Sequence, residues 1–82
     1  MSKHVTVRFF AAARDAAGDS EISMESQSLR SLIDSLSAAR PPLKTVLSRC
    51  SFLVDGLVAK PPYDIAIQEG VTVDVLPPFA GG

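Results

Sequence analysis

The sequence predicts an α+β domain, a mixed sheet of about five strands with one main helix across one face. Three observations carry this. Residues 4–10 alternate apolar and polar side chains with the period of a half-buried strand, and residues 71–76 are a run rich in β-branched residues. Between them, Leu29, Leu32, Ile33 and Leu36 stand at i, i+3, i+4 and i+7, the single apolar stripe of a helix that covers a sheet. Asp55-Gly56 separates two short apolar runs, as the turn of a hairpin does.

The elements follow in order. Val5, Val7 and Phe9 form the apolar set of the first strand and Thr6, Arg8 and Phe10 the opposite set. Phe9 is thereby assigned to the core and Phe10 to the open side, with packing under the Ala-rich turn as the other placement for Phe10. Residues 11–17 have high helix propensity and stop at Gly18, so they predict a short helix. Residues 20–25 form a second strand with Ile22 and Met24 inward, paired with the first as a hairpin. The main helix spans residues 28–39, with Ser26 or Ser28 as its cap, and ends at Arg40-Pro41-Pro42 because proline disfavours helical geometry in the residue before it. Residues 43–49 add a short helical turn. Residues 51–54 and 57–60 flank the Asp55-Gly56 turn as strands, Pro61-Pro62 breaks the second of them, and residues 63–67 are expected to include a turn of helix. The β-branched run 71–76 is the last strand. If the first and last strands lie side by side they are parallel, and the arrangement is the β-grasp, or ubiquitin-like, fold. Residues 1–76 are read as that domain and residues 77–82 as an extended tail.

With 82 residues the chain makes one small domain. Its net charge of −1 argues against a nucleic-acid partner held by phosphate contacts. The charge is uneven: residues 1–49 carry seven Lys/Arg against five Asp/Glu, and residues 50–82 one against four. The absence of a signal peptide and of any long apolar run predicts no membrane association and a cytoplasmic location. Cys50 stands alone before an apolar run and is expected to be buried and unreactive; His4 is expected to be solvated. The acidic residues are scattered singly and read as surface solvation. No metal-ligand cluster, phosphate loop or nucleophile–base set is present in the sequence.

Chemistry is expected at the end of the chain instead. Pro77 and Pro78 hold the backbone extended, and Phe79, Ala80, Gly81 and Gly82 follow. The six residues Pro77 to Gly82 reach about 20 Å when extended. Glycine lets backbone thread where no side chain fits. The Gly82 carboxylate is ionised at neutral pH and a poor electrophile, so it needs activation, for instance as an acyl-adenylate.

Val7-Arg8-Phe9-Phe10-Ala11-Ala12-Ala13-Arg14-Asp15-Ala16-Ala17-Gly18, Phe52-Leu53-Val54-Asp55-Gly56 and Glu69-Gly70 through Leu76-Pro77-Pro78-Phe79-Ala80-Gly81-Gly82 resemble the MoaD/ThiS family of ubiquitin-like sulfur carriers, and within it the small subunits of molybdopterin synthase. The resemblance spans nearly the whole chain, and Leu-Pro-Pro-x-x-Gly-Gly is its most specific part. It implies that Gly82 is adenylated, converted to a thiocarboxylate, and gives its sulfur to cyclic pyranopterin monophosphate. The implied partners are a MoaE-type large synthase subunit, a ubiquitin-activating-type (MoeB-type) adenylating enzyme that consumes Mg-ATP, and a sulfur donor such as a cysteine desulfurase or rhodanese-like protein. No cofactor is expected to stay bound, and the chain is expected not to be an enzyme on its own. Docking through an apolar patch is implied, with Phe10, Leu76 and Phe79 as its candidates. Asp55 stands where Asn is more usual, and Pro61-Pro62-Tyr63 with Ile65-Ala66-Ile67 lengthens the stretch before Glu69-Gly70. Other readings remain: a sulfur carrier for thiamine, cysteine or tRNA thiolation, a ubiquitin-like protein modifier, or an inert binding module.

Overall fold

The computed structural model describes residues 3–78. Its elements are β1 (Lys3–Phe9), α1 (Ala11–Ala17), β2 (Glu21–Ser26), α2 (Leu29–Ala39), α3 (Leu43–Leu47), β3 (Ser51–Val54), β4 (Leu57–Val58) and β5 (Val71–Leu76). The strands form one five-stranded sheet in the order β2-β1-β5-β3-β4. β1 and β5 pair in parallel, with Val7 opposite Val73, while the other three pairings are antiparallel. This is the expected β-grasp arrangement, with β5, the strand that leads to the tail, in the centre.

Alternation places Val5, Val7 and Phe9 of β1 and Val71, Val73 and Val75 of β5 on one buried face. Leu29, Leu32 and Leu36 of α2 pack against that face, each at most 2% exposed. Removing this apolar surface from water supplies the main drive for closure, at about 25 cal/mol per Å². Leu43 and Leu47 of α3, Ala13 and Ala17 of α1, Phe52 of β3, and Cys50, Ala59 and Ile67 join the core.

Local chemistry sets the ends of the helices. α1 stops at Gly18, whose φ of 83° is left-handed and whose N–H donates to the Arg14 carbonyl at 2.9 Å. Of the two serines expected as caps, Ser28 takes the role: its Oγ accepts from the Ser31 N–H at 3.1 Å, and Ser31 Oγ accepts from the Ser28 N–H at 3.2 Å. Ser26 is buried beside this cap, with its Oγ 2.7 Å from Ser31 Oγ.

Two expectations are corrected. The run 63–67 contains no helical turn. It is irregular, with Tyr63 left-handed at φ 67° and Ala66 bridged to Ser28, and the Ile65 and Tyr63 carbonyls accept from the Leu29 and Arg30 N–H groups, both at 2.9 Å. Those N–H groups start α2 and have no partner within it, so these carbonyls satisfy them. The return strand β4 covers Leu57–Val58 only; Ala59 N–H still donates to the Phe52 carbonyl at 2.8 Å, but Pro61 and Pro62 cannot extend the ladder. The turn between β3 and β4 is as expected, with Asp55 and Gly56 both left-handed at φ 48° and 84°.

Candidate functional site

The site is built where β5 leaves the sheet. Central position and the buried valines hold β5 between β1 and β3, so the point at which the chain departs, after Leu76, is fixed by two neighbouring strands. Leu76 is half-buried opposite Ser51, Pro77 is buried and Pro78 is exposed. Phe79, Ala80, Gly81 and Gly82, the rest of the expected site, lie outside the described residues.

Phe10 is in the extended region at φ −122° and ψ 147°, and its N–H donates to the Val75 carbonyl at 3.3 Å. It therefore stands one rung beyond the Phe9–Val75 pair, level with Leu76. The ring is 38% exposed, whereas Phe9 is 2% exposed, so the alternation of β1 runs through both residues.

The open face of the sheet holds a feature that sequence reading missed. Asp74, taken as surface solvation, is 8% exposed, and Arg8 grips it side-on: Nε donates to Oδ1 at 2.6 Å and Nη2 to Oδ2 at 2.8 Å. Burial of a carboxylate requires such a partner. The hydrogen bonds from Arg8 to Asp74, then the Asp74 charge, raise the guanidinium above its ordinary pKa against a smaller opposing effect of burial, and Glu21 adds to the rise. The Arg8 Cζ also lies 5.8 Å from the centre of the Phe10 ring. A signal for the pair existed: parallel register of the first and last strands sets Arg8 opposite Asp74. Beside the pair, Leu53 is half-buried and Val58 is 66% exposed, which widens the apolar part of this face beyond Phe10 and Leu76.

On the other side of the tail root is a pocket of about 200 Å³, lined by Ala12 of α1, Thr45, Val46 and Arg49 of α3 or just beyond it, and Pro77 and Pro78. No sequence pattern announces it, because three separate segments meet there.

The remaining candidates are placed as expected. Cys50 is buried, its thiol donates to the Val46 carbonyl at 3.1 Å, and burial pushes its pKa up, away from nucleophilic use. The His4 side chain is 70% exposed, 3.3 Å from Glu69 and 3.8 Å from Glu25. Among the described residues no group of three or more His, Cys, Asp or Glu is placed to hold a metal ion. No helix among them is long and apolar enough to cross a membrane. What the arrangement provides is a rigid platform with a fixed exit for the tail.

Comparison with known proteins adds the following. The family model described as the ThiS family matches residues 7–82. The molybdopterin synthase sulfur carrier subunit of Chlamydomonas reinhardtii is 30% identical over 81 residues, 95% of this chain and 98% of that protein. Among solved structures, the small archaeal modifier protein 1 of Methanosarcina acetivorans superposes with a TM-score of 0.86 at 22% identity, covering 100% of this chain and 99% of that one. The putative molybdopterin converting factor subunit 1 of Pyrococcus furiosus superposes at 0.85 with 25% identity, covering 95% of this chain and 100% of that one.

Proposed function

This chain belongs to the ThiS family, and we propose that within it the protein is the sulfur-carrier small subunit of a molybdopterin synthase. The observation that carries this choice is the 30% identity, over nearly the full length of both chains, to a molybdopterin synthase sulfur carrier subunit. The fold is consistent with it, since the central strand leads directly into Pro77-Pro78 and the tail.

In this reading the Gly82 carboxylate attacks the α-phosphate of Mg-bound ATP on an adenylating enzyme, and pyrophosphate leaves. A persulfide sulfur from the donor protein displaces AMP from the acyl-adenylate, and reductive cleavage of the S–S bond by a thiol leaves the thiocarboxylate. The tail then enters the large synthase subunit, where the thiocarboxylate sulfur bonds to a carbon of cyclic pyranopterin monophosphate as an oxygen substituent leaves that carbon, and water hydrolyses the resulting thioester, leaving the sulfur on the pterin and restoring the Gly82 carboxylate. Glycine suits the task because its carbonyl carbon is unshielded and its backbone passes a narrow channel. The small subunit supplies reach and docking, and the catalytic groups belong to its partners. Phe10 and Leu76 on the open face, with Phe79 beyond, are the surface offered to the large subunit.

The test is the intact mass of the chain after incubation with a MoeB-type enzyme, Mg-ATP and a sulfide source, beside a chain lacking Gly82. A gain equal to replacing one oxygen by sulfur, absent from the truncated chain, is expected. Addition of cyclic pyranopterin monophosphate and the large subunit should reverse the gain. A persistent thiocarboxylate would point to another acceptor, and covalent adducts on lysines to a protein modifier.

A further inference from the structure

We propose that the outer edge of β2 is a docking edge for another protein, which adds to the sheet an extended segment carrying Lys or Arg at alternate positions. β2 stands at one end of the sheet order and pairs only with β1. The Phe9 N–H donates to the Ser20 carbonyl at 2.8 Å, and in an antiparallel ladder such bonded pairs recur at every second residue. Ile22 and Met24, in step with Ser20, therefore turn their backbone groups towards β1. Glu21, Ser23 and Glu25 turn theirs outward, and among the described residues no backbone bond from outside the sheet reaches them. The β2 edge belongs to a strand of 6 residues, whereas β4 at the opposite edge has 2, so β2 is the longer template for an added strand.

The side chains along this edge select the occupant. Glu21, Ser23 and Glu25 are exposed on the open face, beside Arg8, Thr6 and His4 of β1. Ile22 and Met24 are half-buried against the core on the other face. Arg8 is held by Asp74, and Glu21 forms no ion pair among the described residues. Glu25 meets only the exposed His4 side chain, at 3.8 Å.

These charges disfavour a second copy of the chain. Antiparallel pairing of β2 with its own copy about Ser23 sets each Glu21 opposite a Glu25, and like charges directly opposite destabilise a sheet. A segment reading basic–apolar–any–apolar–basic reverses the sign of both contacts. Its apolar residues then meet Ile22 and Met24. β1 separates β2 from β5, so the added strand leaves the exit after Leu76 open. A partner held there is compatible with engagement of the tail elsewhere.

The test is an NMR titration of the isotope-labelled full chain with a disulfide-closed hairpin peptide that presents Lys-Val-Thr-Val-Lys on its free edge. The hairpin holds the strand extended in advance and so lowers the cost of ordering it. Beside it stand the same peptide with Glu for Lys and one N-methylated at the central Thr. Expected with the Lys peptide are amide shifts and slowed hydrogen exchange at Glu21, Ser23 and Glu25. Binding should weaken several-fold in the double variant Glu21→Gln, Glu25→Gln, and be lost on N-methylation. The double variant Glu21→Lys, Glu25→Lys should prefer the Glu peptide, with circular dichroism confirming that each variant is folded. No shift at millimolar Lys peptide would overturn the proposal, as would equal affinity of the unaltered chain for the Lys and Glu peptides. Binding that survives N-methylation would also overturn it, since charge attraction alone would then suffice. Shifts confined to Leu53 and Val58 would overturn it too, by placing the contact away from β2. No step involves Gly82, so this test and the mass test of Gly82 fail independently.

Discussion

Arg8 and Asp74 are 66 residues apart in sequence and face each other across parallel strands β1 and β5, joined by two hydrogen bonds of 2.6 and 2.8 Å. The pair straddles the centre of the sheet, on the face opposite the core. Asp74 is the more enclosed partner, with a side chain 12% exposed against 47% for Arg8.

That asymmetry predicts coupling. Arg8→Leu leaves an enclosed carboxylate without its partner and should destabilise the domain. Asp74→Asn should cost less in the Arg8→Leu background than in the wild type. A double-mutant cycle by urea unfolding measures this, and additive effects would show the two side chains to be independent. Because Asp74 raises the Arg8 pKa, the contribution of Arg8 is complete below the ordinary arginine range and would fade only as pH rises through the raised value. The guanidinium should therefore stay charged throughout the alkaline limb of stability.

The main helix offers two graded losses. Leu32 is fully buried, so Leu32→Ala should cost about 2–5 kcal/mol. Ser28→Ala removes the cap acceptor and should cost about 1 kcal/mol. Both follow from shifts in urea midpoint at constant slope.

At the β3–β4 turn, Gly56 has φ 84° and open space where a Cβ would stand. Gly56→Ala should therefore cost about 1–2 kcal/mol through backbone conformation alone. Thermal unfolding checks this, and a neutral result would mean that the turn adapts.

Cys50 should behave as an enclosed thiol. Its folded pKa is raised by burial, so its stabilising contribution is complete below the unfolded thiol's pKa and is lost as pH rises through the folded value. Iodoacetamide should label it far more slowly in the native protein than in urea at mildly alkaline pH. Equal rates would place the thiol at the surface.

For the proposed function, Phe79→Asp should weaken binding to the large synthase subunit while leaving the far-UV circular dichroism of the domain unchanged. Loss of the folded spectrum would instead make Phe79 structural. Isothermal titration with the purified large subunit provides the affinity.

Much of this was legible in the chain because periodicity is a local property. Val5, Val7 and Phe9 declare a buried strand face, Leu29, Leu32 and Leu36 a helix stripe, and Asp55-Gly56 a turn, each from neighbours within a few residues. The Pro77-Pro78 and Gly81-Gly82 motif is likewise read from adjacent residues, and of it the structure describes only Pro77, buried, and Pro78, exposed.

Tertiary structure decided what depends on distant segments meeting. The run 63–67 is not helical, and its Tyr63 and Ile65 carbonyls serve the first N–H groups of α2, which require partners from outside the helix. Asp74 is buried rather than solvated because β1 brings Arg8 alongside it, and the pocket exists only because Ala12, Val46 and Pro78 converge. Local pattern fixes which face of an element is apolar; only the packing of elements fixes which polar groups share a low-dielectric space and must therefore pair.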